Sequence, residues 1–129
     1  LNDQIEKENV KDYVELLGTK SNPYPYIKNC DIFIQPSRYE GKSVVIDEAK
    51  ILARPIIATA YPTVKDQIHN DNKGLIVELN VDGIVDGIVA LCSDDTKKQQ
   101  ITEYLNRHEY GNQNEVKKYI NLIEGEMKI

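Results

Sequence analysis

Residues 31–60 read DIFIQPSRYEGKSVVIDEAKILARPIIATA, and this stretch decides the fold. Its two ends, 31–37 and 54–60, are short apolar runs in which apolar and polar residues do not alternate. Such runs are typical of strands that are buried on both faces of a parallel sheet. The segment between them, 43–53, has the apolar spacing of a helix. The stretch therefore predicts a strand, a helix and a second strand, the repeating unit of an α/β sheet.

The chain on either side continues this alternation. Further elements are predicted as follows: strands at 73–79 and 13–18, helices at 63–68 and 81–93, and a helix start at Asp94 and Asp95. The pattern predicts a doubly wound, Rossmann-like parallel sheet with flanking helices. Residues 1–110 are predicted to form this domain, incomplete in its first strands. Residues 111–129 are predicted to form a final helix that packs either on this domain or on an N-terminal domain outside the chain. Its apolar stripe is Val116, Ile120, Ile123 and Met127, with Asn112 as a candidate cap.

Composition and charge exclude several classes of protein. The chain has 129 residues, a net charge of −5 and a pI near 5.0, which argue against a nucleic-acid-binding or anionic-membrane-binding protein. Cys30 and Cys92 stand far apart with no metal-ligand spacing, so we expect reduced core thiols in a cytoplasmic protein and no metal site. We find no stretch long enough to cross a bilayer and no signal peptide. The chain lacks an initiator Met, so we expect it to be part of a longer protein.

Two glutamates, Glu40 and Glu48, flank the start of the predicted 43–53 helix. On a helical wheel with about 100° per residue, one arc is predicted to face solvent and holds Asp47, Lys50 and Arg54. The opposite, apolar arc holds Val45, Ala49, Leu52 and Ala53. Glu48 lies on the flank of the apolar arc, so it meets either a hidden cation or a ligand. A salt bridge to Lys65 or Arg38 is the structural alternative to a ligand role.

The turn between the glutamates has the features of a phosphate site. It follows a strand at the carboxyl edge of the sheet, where doubly wound folds bind ligands. The free N–H groups of Ser43 and Val44 would attract phosphate, and Gly41 would allow close approach. Because carboxylates repel phosphate, Glu40 and Glu48 should contact hydroxyl groups on the same ligand. A nucleotide sugar has a diphosphate between two hydroxyl-bearing groups.

The motif PSRYEG…DEAKILARPIIAT resembles the signature of retaining glycosyltransferases with the two-domain GT-B architecture, specifically the family-4 group. The group includes bacterial capsule, lipopolysaccharide and teichoic-acid enzymes. Its C-terminal, donor-binding domain carries two Glu residues separated by seven positions after a strand that ends in Pro-Ser. The local sequence NPYPYIKNCDIFIQPSRYEG at 22–41 is also similar, and the likeness covers roughly residues 13–93.

The resemblance implies roles for individual residues. Glu40 would be the catalytic-site carboxylate that contacts the donor sugar, and Glu48 would hold the ribose hydroxyls. The amides at Lys42, Ser43 and Val44, with Gly41, would approach the diphosphate, and Tyr24 would lie near the base. The donor would be a nucleoside diphosphate sugar, foremost a UDP-sugar, with no other cofactor and no metal.

The family pattern also implies what lies outside this chain. An Arg and a Lys for the diphosphate come from earlier strands, and a saccharide or lipid-linked acceptor binds through an N-terminal domain, which could bring the enzyme to the inner face of the membrane. We therefore expect no turnover and at most weak donor binding from this domain alone. In the family's sheet order two strands separate 13–18 from 31–35, so we predict that these segments do not pair here.

Two other interpretations remain at this point. A receiver-like regulatory module would need a phosphorylatable Asp at the end of its third strand, and the strand ends here read Gln35-Pro36-Ser37 and Ala58-Thr59-Ala60. A degenerate relative without activity would show the same sequence pattern. His69 and His108 have no acidic or Cys partner at useful spacing and are interpreted as surface residues.

Overall fold

A computed structural model describes residues 1–68, 72–107 and 120–121. The elements in chain order are α1 (Asn2–Lys7), α2 (Tyr24–Asn29), β1 (Phe33–Gln35), α3 (Val44–Ile51), β2 (Ile56–Thr59), a 3₁₀ turn (Val64–Asp66), β3 (Gly74–Val77), α4 (Val81–Cys92) and α5 (Asp95–Arg107). Of the predicted final helix at 111–129, only residues 120 and 121 are described, and both are helical. His69 and His108 lie outside the described residues.

The sheet is parallel, as predicted, with the strand order β1-β2-β3. Phe33 is paired with Ile56, and Ile56 is paired in turn with Gly74. Every residue of β2 is buried, because this central strand has a neighbour on each side and helices above and below. The Rossmann-like arrangement of a parallel sheet between helical layers is confirmed.

Two apolar cores lie on opposite faces of the sheet, because successive side chains of a strand point to opposite sides. On one face, Ile56 and Ala58 pack with Ile46 and Ala49 of α3 and with the 3₁₀ turn. On the other face, Ile57 packs with α4 and α5 through Leu91 and Ile101. Fully burying one isoleucine contributes about 1.5–3 kcal/mol. The contacts that Ile56 and Ile57 of β2 make with the helices therefore account for much of the stability.

The predicted strand at 13–18 does not form. No strand is assigned there, and Val14, Leu16 and Leu17 are exposed. The related prediction that this segment does not pair with 31–35 is confirmed, since within the described residues β1 is hydrogen-bonded to β2 only. A short apolar segment needs a neighbouring strand to satisfy its backbone groups, and none lies beside it here.

Several helices differ from prediction. The segment 63–68 forms only the 3₁₀ turn, while α1 and α2 were not predicted. The start of α5 is confirmed, because Asp94 Oδ1 accepts a hydrogen bond from the amide of Lys97 at 2.9 Å. Both thiols are free, but Cys92 is exposed and is not the core residue predicted. No helix among the described residues is long and apolar enough to cross a membrane.

The solvated and apolar faces of α3 are partly the reverse of the prediction. Lys50, predicted to face solvent, is only 5% exposed, whereas Val45 is 38% exposed. The Nζ atom of Lys50 lies 3.2 Å from Oδ1 of Asp47, which provides a counter-charge one turn away. The buried charge on this helix is therefore Lys50, while Glu48 is only half-buried.

Candidate functional site

The loop between β1 and α3 lies at the carboxyl edge of the sheet and is held by two threonines. Thr59 Oγ1, at the end of β2, donates to the backbone carbonyl of Ser37. Thr63 Oγ1 lies 2.8 Å from the carbonyl oxygen of Glu40 and 2.9 Å from that of Gly41, so its single proton is shared between the two acceptors. These contacts tie both halves of the loop to the segment that follows β2, so its backbone is positioned by the sheet.

Glu40 is held by its own loop. Its Oε1 atom accepts hydrogen bonds from Gln35 Nε2 at 2.9 Å and from Ser37 Oγ at 2.8 Å. Gln35 Nε2 also donates to Ser37 Oγ at 2.8 Å, which closes a three-membered network. The carboxylate is thus an oriented group at the sheet edge, where the sequence predicted a ligand-binding residue.

Glu48 is paired with Tyr24, the first residue of α2. The Tyr24 hydroxyl donates to Glu48 Oε1 at 3.0 Å. This hydrogen bond, and then the charge of the carboxylate, raise the pKa of Tyr24 above its ordinary value. The two side chains line a cavity of about 240 Å³ together with Ile51 and Leu52. The cavity walls are mostly apolar, with one carboxylate and one hydroxyl. Such walls suit a ligand in which a flat ring is joined to a group that carries hydroxyls.

The salt-bridge alternative for Glu48 is not observed. Among the ion pairs of the described residues, neither Lys65 nor Arg38 is a partner of this carboxylate. Its recorded partner is the neutral Tyr24 hydroxyl. Within the described residues this carboxylate therefore takes part in no ion pair.

The start of α3 differs in one respect from the sequence prediction. Ser43 is the N-cap, and its amide is not free, since it donates to Gln67 Oε1 at 3.0 Å. Gln67 Nε2 donates back to the carbonyl of Ser43 at 2.7 Å. By helix geometry the next amides, at Val44 and Val45, have no acceptor within the helix. Any anion at this helix start would therefore meet those two amides rather than that of Ser43.

Lys42 and Gly41 border a second cavity beside this helix start. It measures about 380 Å³ and is also lined by Thr63, Asp66 and Gln67. The Lys42 ammonium is exposed and lies 3.6 Å from Asp47, a loose contact that leaves the side chain able to reorient. A Cβ atom at Gly41 would meet nothing within 4 Å, so the backbone there is open to a ligand.

The sequence missed some of the residues that build the site. No role was predicted from the sequence for Gln35, Ser37, Thr63 or Gln67. Ser37 does belong to the Pro-Ser pair that ends the first strand of the family motif. Their signal in the sequence is weak, because a hydroxyl or amide gains its role only from the partner that folding brings near.

A third cavity, of about 170 Å³, also lies at this edge of the sheet. It is lined by Pro36, Arg38 and Thr59 and by residues at the start of α4. No group of three potential metal ligands occurs in the described part of the chain.

A parallel sheet between helices defines a Rossmann-like domain, and two carboxylates lie around a helix start at the carboxyl edge of its sheet, where such folds bind ligands. The sequence narrows this class, since the family model for glycosyl transferases group 1 matches residues 1–108. The chain therefore belongs to the glycosyl transferases group 1 family.

Individual relatives agree with this assignment. The chain is 30% identical over 93 residues to a Campylobacter jejuni enzyme, N-acetylgalactosamine-N,N'-diacetylbacillosaminyl-diphospho-undecaprenol 4-alpha-N-acetylgalactosaminyltransferase, covering 70% of this chain and 26% of that one. The chain spans about a fifth to a quarter of the length of the curated relatives it matches.

Solved structures share the fold. Sucrose-phosphate synthase from Thermosynechococcus elongatus superposes with a TM-score of 0.79 at 18% identity, covering 98% of this chain and 33% of the other. Anabaena HepE, solved in complex with UDP, gives a TM-score of 0.76 at 19% identity and covers 81% of this chain and 29% of that one. These likenesses concern the Rossmann-like fold of GT-B enzymes.

Proposed function

We propose that this chain is the donor-binding domain of a retaining glycosyltransferase. The intact enzyme transfers a hexose from a UDP-sugar to a saccharide or lipid-linked acceptor, which binds through an N-terminal domain. The observation that carries the proposal is the placement of Glu40 and Glu48 on either side of the start of α3. In this assignment the donor spans that helix start, with its sugar at Glu40 and its nucleoside at Glu48.

Glu48 has the chemistry needed to hold a ribose. A carboxylate accepts hydrogen bonds from two neighbouring hydroxyls, and charge-assisted bonds of this kind are the stronger ones. The Tyr24 hydroxyl lies on Oε1, so a ribose hydroxyl binds at Oε2 or displaces the tyrosine. The Tyr24 ring and the apolar cavity wall at Ile51 would then contact the nucleoside.

The diphosphate is assigned to the first turn of α3. Unpaired amides at a helix start and the positive end of the helix dipole attract anions. This attraction comes from the amides of Val44 and Val45 and from the exposed ammonium group of Lys42. The open backbone at Gly41 allows the anion to come close. Ser43 contributes by capping the helix, since its own amide is bonded to Gln67.

The relatives support the choice of donor and acceptor. The Campylobacter jejuni relative is named for transfer to a diphospho-undecaprenol-linked saccharide, and HepE was solved with UDP. We propose by analogy a UDP-sugar donor, an acceptor of the saccharide or lipid-linked class, and action at the inner face of the membrane.

The role of Glu48 is tested by comparing UDP with 2′-deoxy-UDP. We expect Glu48→Gln to weaken UDP binding by about 10- to 100-fold, because one charged hydrogen bond contributes about 1.5–3 kcal/mol. The preference of the unmodified chain for UDP over 2′-deoxy-UDP should shrink in the variant. Amide chemical shifts followed by NMR during titration give both affinities and should change most from Glu40 to Glu48.

The matched control is Glu103→Gln, the same change on exposed α5, which should leave both affinities unchanged. Equal binding of UDP by the Glu48 variant and the unmodified chain, with the fold intact, would remove Glu48 from the site. A longer protein that includes the earlier strands and shows no binding of UDP or any UDP-sugar would contradict the proposed donor site as a whole.

A further inference from the structure

We propose that Gln35 and Ser37 are positioning residues that aim Glu40 at the donor sugar and so decide how strongly the sugar, as distinct from the nucleotide, is bound. The inference rests on the proposed function and adds two residues that the sequence pattern did not assign. It comes from the network at the end of β1, in which both side chains converge on one oxygen of one carboxylate.

Both donors reach the same oxygen atom. Gln35 Nε2 and Ser37 Oγ lie 2.9 and 2.8 Å from Glu40 Oε1. Among the residues that the structure describes, no hydrogen bond is recorded for Oε2 of Glu40. One oxygen is thus held by protein donors, while the other remains an acceptor for a hydroxyl group.

The direction of each hydrogen bond follows from the donors and acceptors available. A carboxylate only accepts, and the amide nitrogen of Gln35 has two N–H groups, one for Ser37 Oγ and one for Glu40 Oε1. The Ser37 hydroxyl accepts the first of these and uses its single proton on Glu40. Removing the Ser37 hydroxyl would therefore take away one donor to the carboxylate and also an acceptor of the Gln35 amide.

The backbone beneath the network is also fixed, so the network can determine a side-chain direction. Thr59 Oγ1 donates its proton to the carbonyl of Ser37 and also lies 3.3 Å from the carbonyl oxygen of Gln35. Thr63 Oγ1 donates to the carbonyl of Glu40 itself. With the backbone held, the remaining freedom is rotation of the Glu40 side chain, and the two donors to Oε1 restrict that rotation.

The consequence concerns the sugar and not the nucleotide. A carboxylate held in one orientation discriminates among hydroxyl positions, whereas a rotating one does not, because a binding site gains specificity when its groups are preorganised. Glu48 and the start of α3 hold the nucleotide in the proposed function, and within the described residues no hydrogen bond joins either of them to Gln35 or Ser37. Loss of the network should therefore weaken the contribution of the sugar alone.

The test uses this chain with UDP, UDP-galactose and UDP-N-acetylglucosamine as probes. For each variant the ratio of the dissociation constant of UDP to that of the better-bound sugar nucleotide measures the contribution of the sugar. We expect Ser37→Ala and Gln35→Met to lower this ratio by about 3- to 10-fold, the effect of one lost hydrogen bond. The dissociation constant of UDP should stay within about twofold, as expected for a site that has not been altered.

Three further variants separate positioning from a general structural role. Ser37→Thr keeps the hydroxyl and should retain the ratio. Ser37→Ala in a Glu40→Ala background should change nothing more, because the carboxylate that it orients is gone. Ser93→Ala, which removes an exposed hydroxyl that donates to the carbonyl of Val89 on α4, is the matched control.

The outcomes distinguish this inference from the proposed function. If neither the folded, unmodified chain nor a longer protein that includes the earlier strands binds UDP or a UDP-sugar, the proposed function is wrong and this inference falls with it. If the unmodified chain binds a UDP-sugar more tightly than UDP, and Ser37→Ala weakens both ligands equally or neither, only the positioning role is overturned. The same holds if Ser37→Ala still lowers the ratio in the absence of the Glu40 carboxylate.

Discussion

At the scale of single residues, the hydroxyl of Tyr61 is an unusual buried group. Tyr61 is 1% exposed, and its hydroxyl is a buried side-chain polar atom for which no hydrogen-bond partner is found within the described structure. Burial, and then the negative charge of Glu40, raise the pKa of this hydroxyl. Leaving a buried donor unpaired costs about 1–3 kcal/mol. The unpaired hydroxyl of Tyr61 therefore costs stability next to the loop that carries the site, although the ring packs in the core.

Replacing Tyr61 by Phe should therefore do no harm at neutral pH. We expect the free energy of unfolding at pH 7 to be unchanged or to rise by up to about 1 kcal/mol, because the variant buries the same ring without the unpaired hydroxyl. Since the folded pKa lies above the unfolded value of about 10, the unfolded tyrosine loses its proton first. The stability of the unmodified chain then falls as the pH rises above that value. The variant should lose less over the same range.

Urea unfolding at pH 7 and at about pH 11 measures both effects, the upper value being chosen to lie above the pKa of a tyrosine in the unfolded chain. Tyr13→Phe, at a position that is 88% exposed, is the matched control and should follow the unmodified chain at both pH values. A Tyr61→Phe variant that is clearly less stable at pH 7 would show that the hydroxyl has a partner, such as a bound water.

At the scale of elements, the start of α3 depends on a residue far along the chain. The Ser43 hydroxyl accepts a weak hydrogen bond from the amide of Ile46 at 3.4 Å. The stronger contacts come from Gln67, which is 3% exposed and satisfies both the amide and the carbonyl of Ser43. Gln67 Nε2 also lies 3.3 Å from Oδ1 of Asp47. The helix that carries Glu48 is therefore anchored by the segment after β2.

Gln67→Met keeps the length of the side chain and removes its polar atoms. We expect the free energy of unfolding to fall by about 2–4 kcal/mol, because the buried amide of Ser43 loses its acceptor at about 1–3 kcal/mol and the carbonyl loses one hydrogen bond worth about 0.5–1.5 kcal/mol. Chemical denaturation gives the value directly. Gln99→Met, on the exposed surface of α5, makes the same substitution where only a side-chain contact to Glu103 is lost. It should cost well under 1 kcal/mol, as is usual for exposed sites. Equal losses in the two variants would contradict the anchoring role.

At the scale of the whole molecule, neighbouring strands and neighbouring layers approach each other closely at glycines. A Cβ atom at Gly74 would lie 2.1 Å from the carbonyl oxygen of Ile56 in the neighbouring strand. At Gly87 of α4 a Cβ atom would lie 2.7 Å from Cγ1 of Val77 on β3. The first of these close contacts is with backbone atoms of the central strand, which cannot move without disturbing both neighbouring strands.

Gly74→Ala should therefore weaken the entire domain. We expect a loss of more than about 2 kcal/mol in the free energy of unfolding, since overpacking against backbone belongs to the severe class of substitutions. Thermal and urea unfolding should report the same loss. Gly41→Ala provides the contrast, because a Cβ atom there meets nothing, and its stability should stay within about 0.5 kcal/mol. A Gly74→Ala variant as stable as Gly41→Ala would mean that β3 can move away from β2.

The sequence predicted those parts of the fold that depend on local patterns. The three apolar runs became β1, β2 and β3, and the helical pattern between the first two became α3. It failed where the decision depended on distant partners. Lys50 is buried because α3 packs over it and because Asp47 supplies a counter-charge. The spacing of apolar residues along the sequence does not predict either effect. The segment 13–18 has strand-like composition but no neighbouring strand with which to pair.

The candidate site divides in the same way. The sequence analysis identified Glu40, Gly41 and Glu48 from their spacing around a predicted helix start. At that spacing the helix start can bind a phosphate while the carboxylates bind hydroxyl groups of the same ligand. The orientation of the two carboxylates cannot be predicted from the sequence. It depends on hydrogen bonds from Gln35 to Glu40 and from Tyr24 to Glu48, which form only in the folded chain.

The sequence by itself thus determined a parallel α/β sheet, the glycosyltransferase signature and the position of the carboxylates along the chain. Tertiary structure alone decided which amides remain open at the start of α3 and which atoms hold Glu40 and Glu48 in place. The physical reason is the range of the interactions involved. Apolar periodicity is a property of neighbouring residues, whereas a hydrogen bond such as that from Tyr24 to Glu48 joins groups 24 positions apart and exists only after the layers have packed.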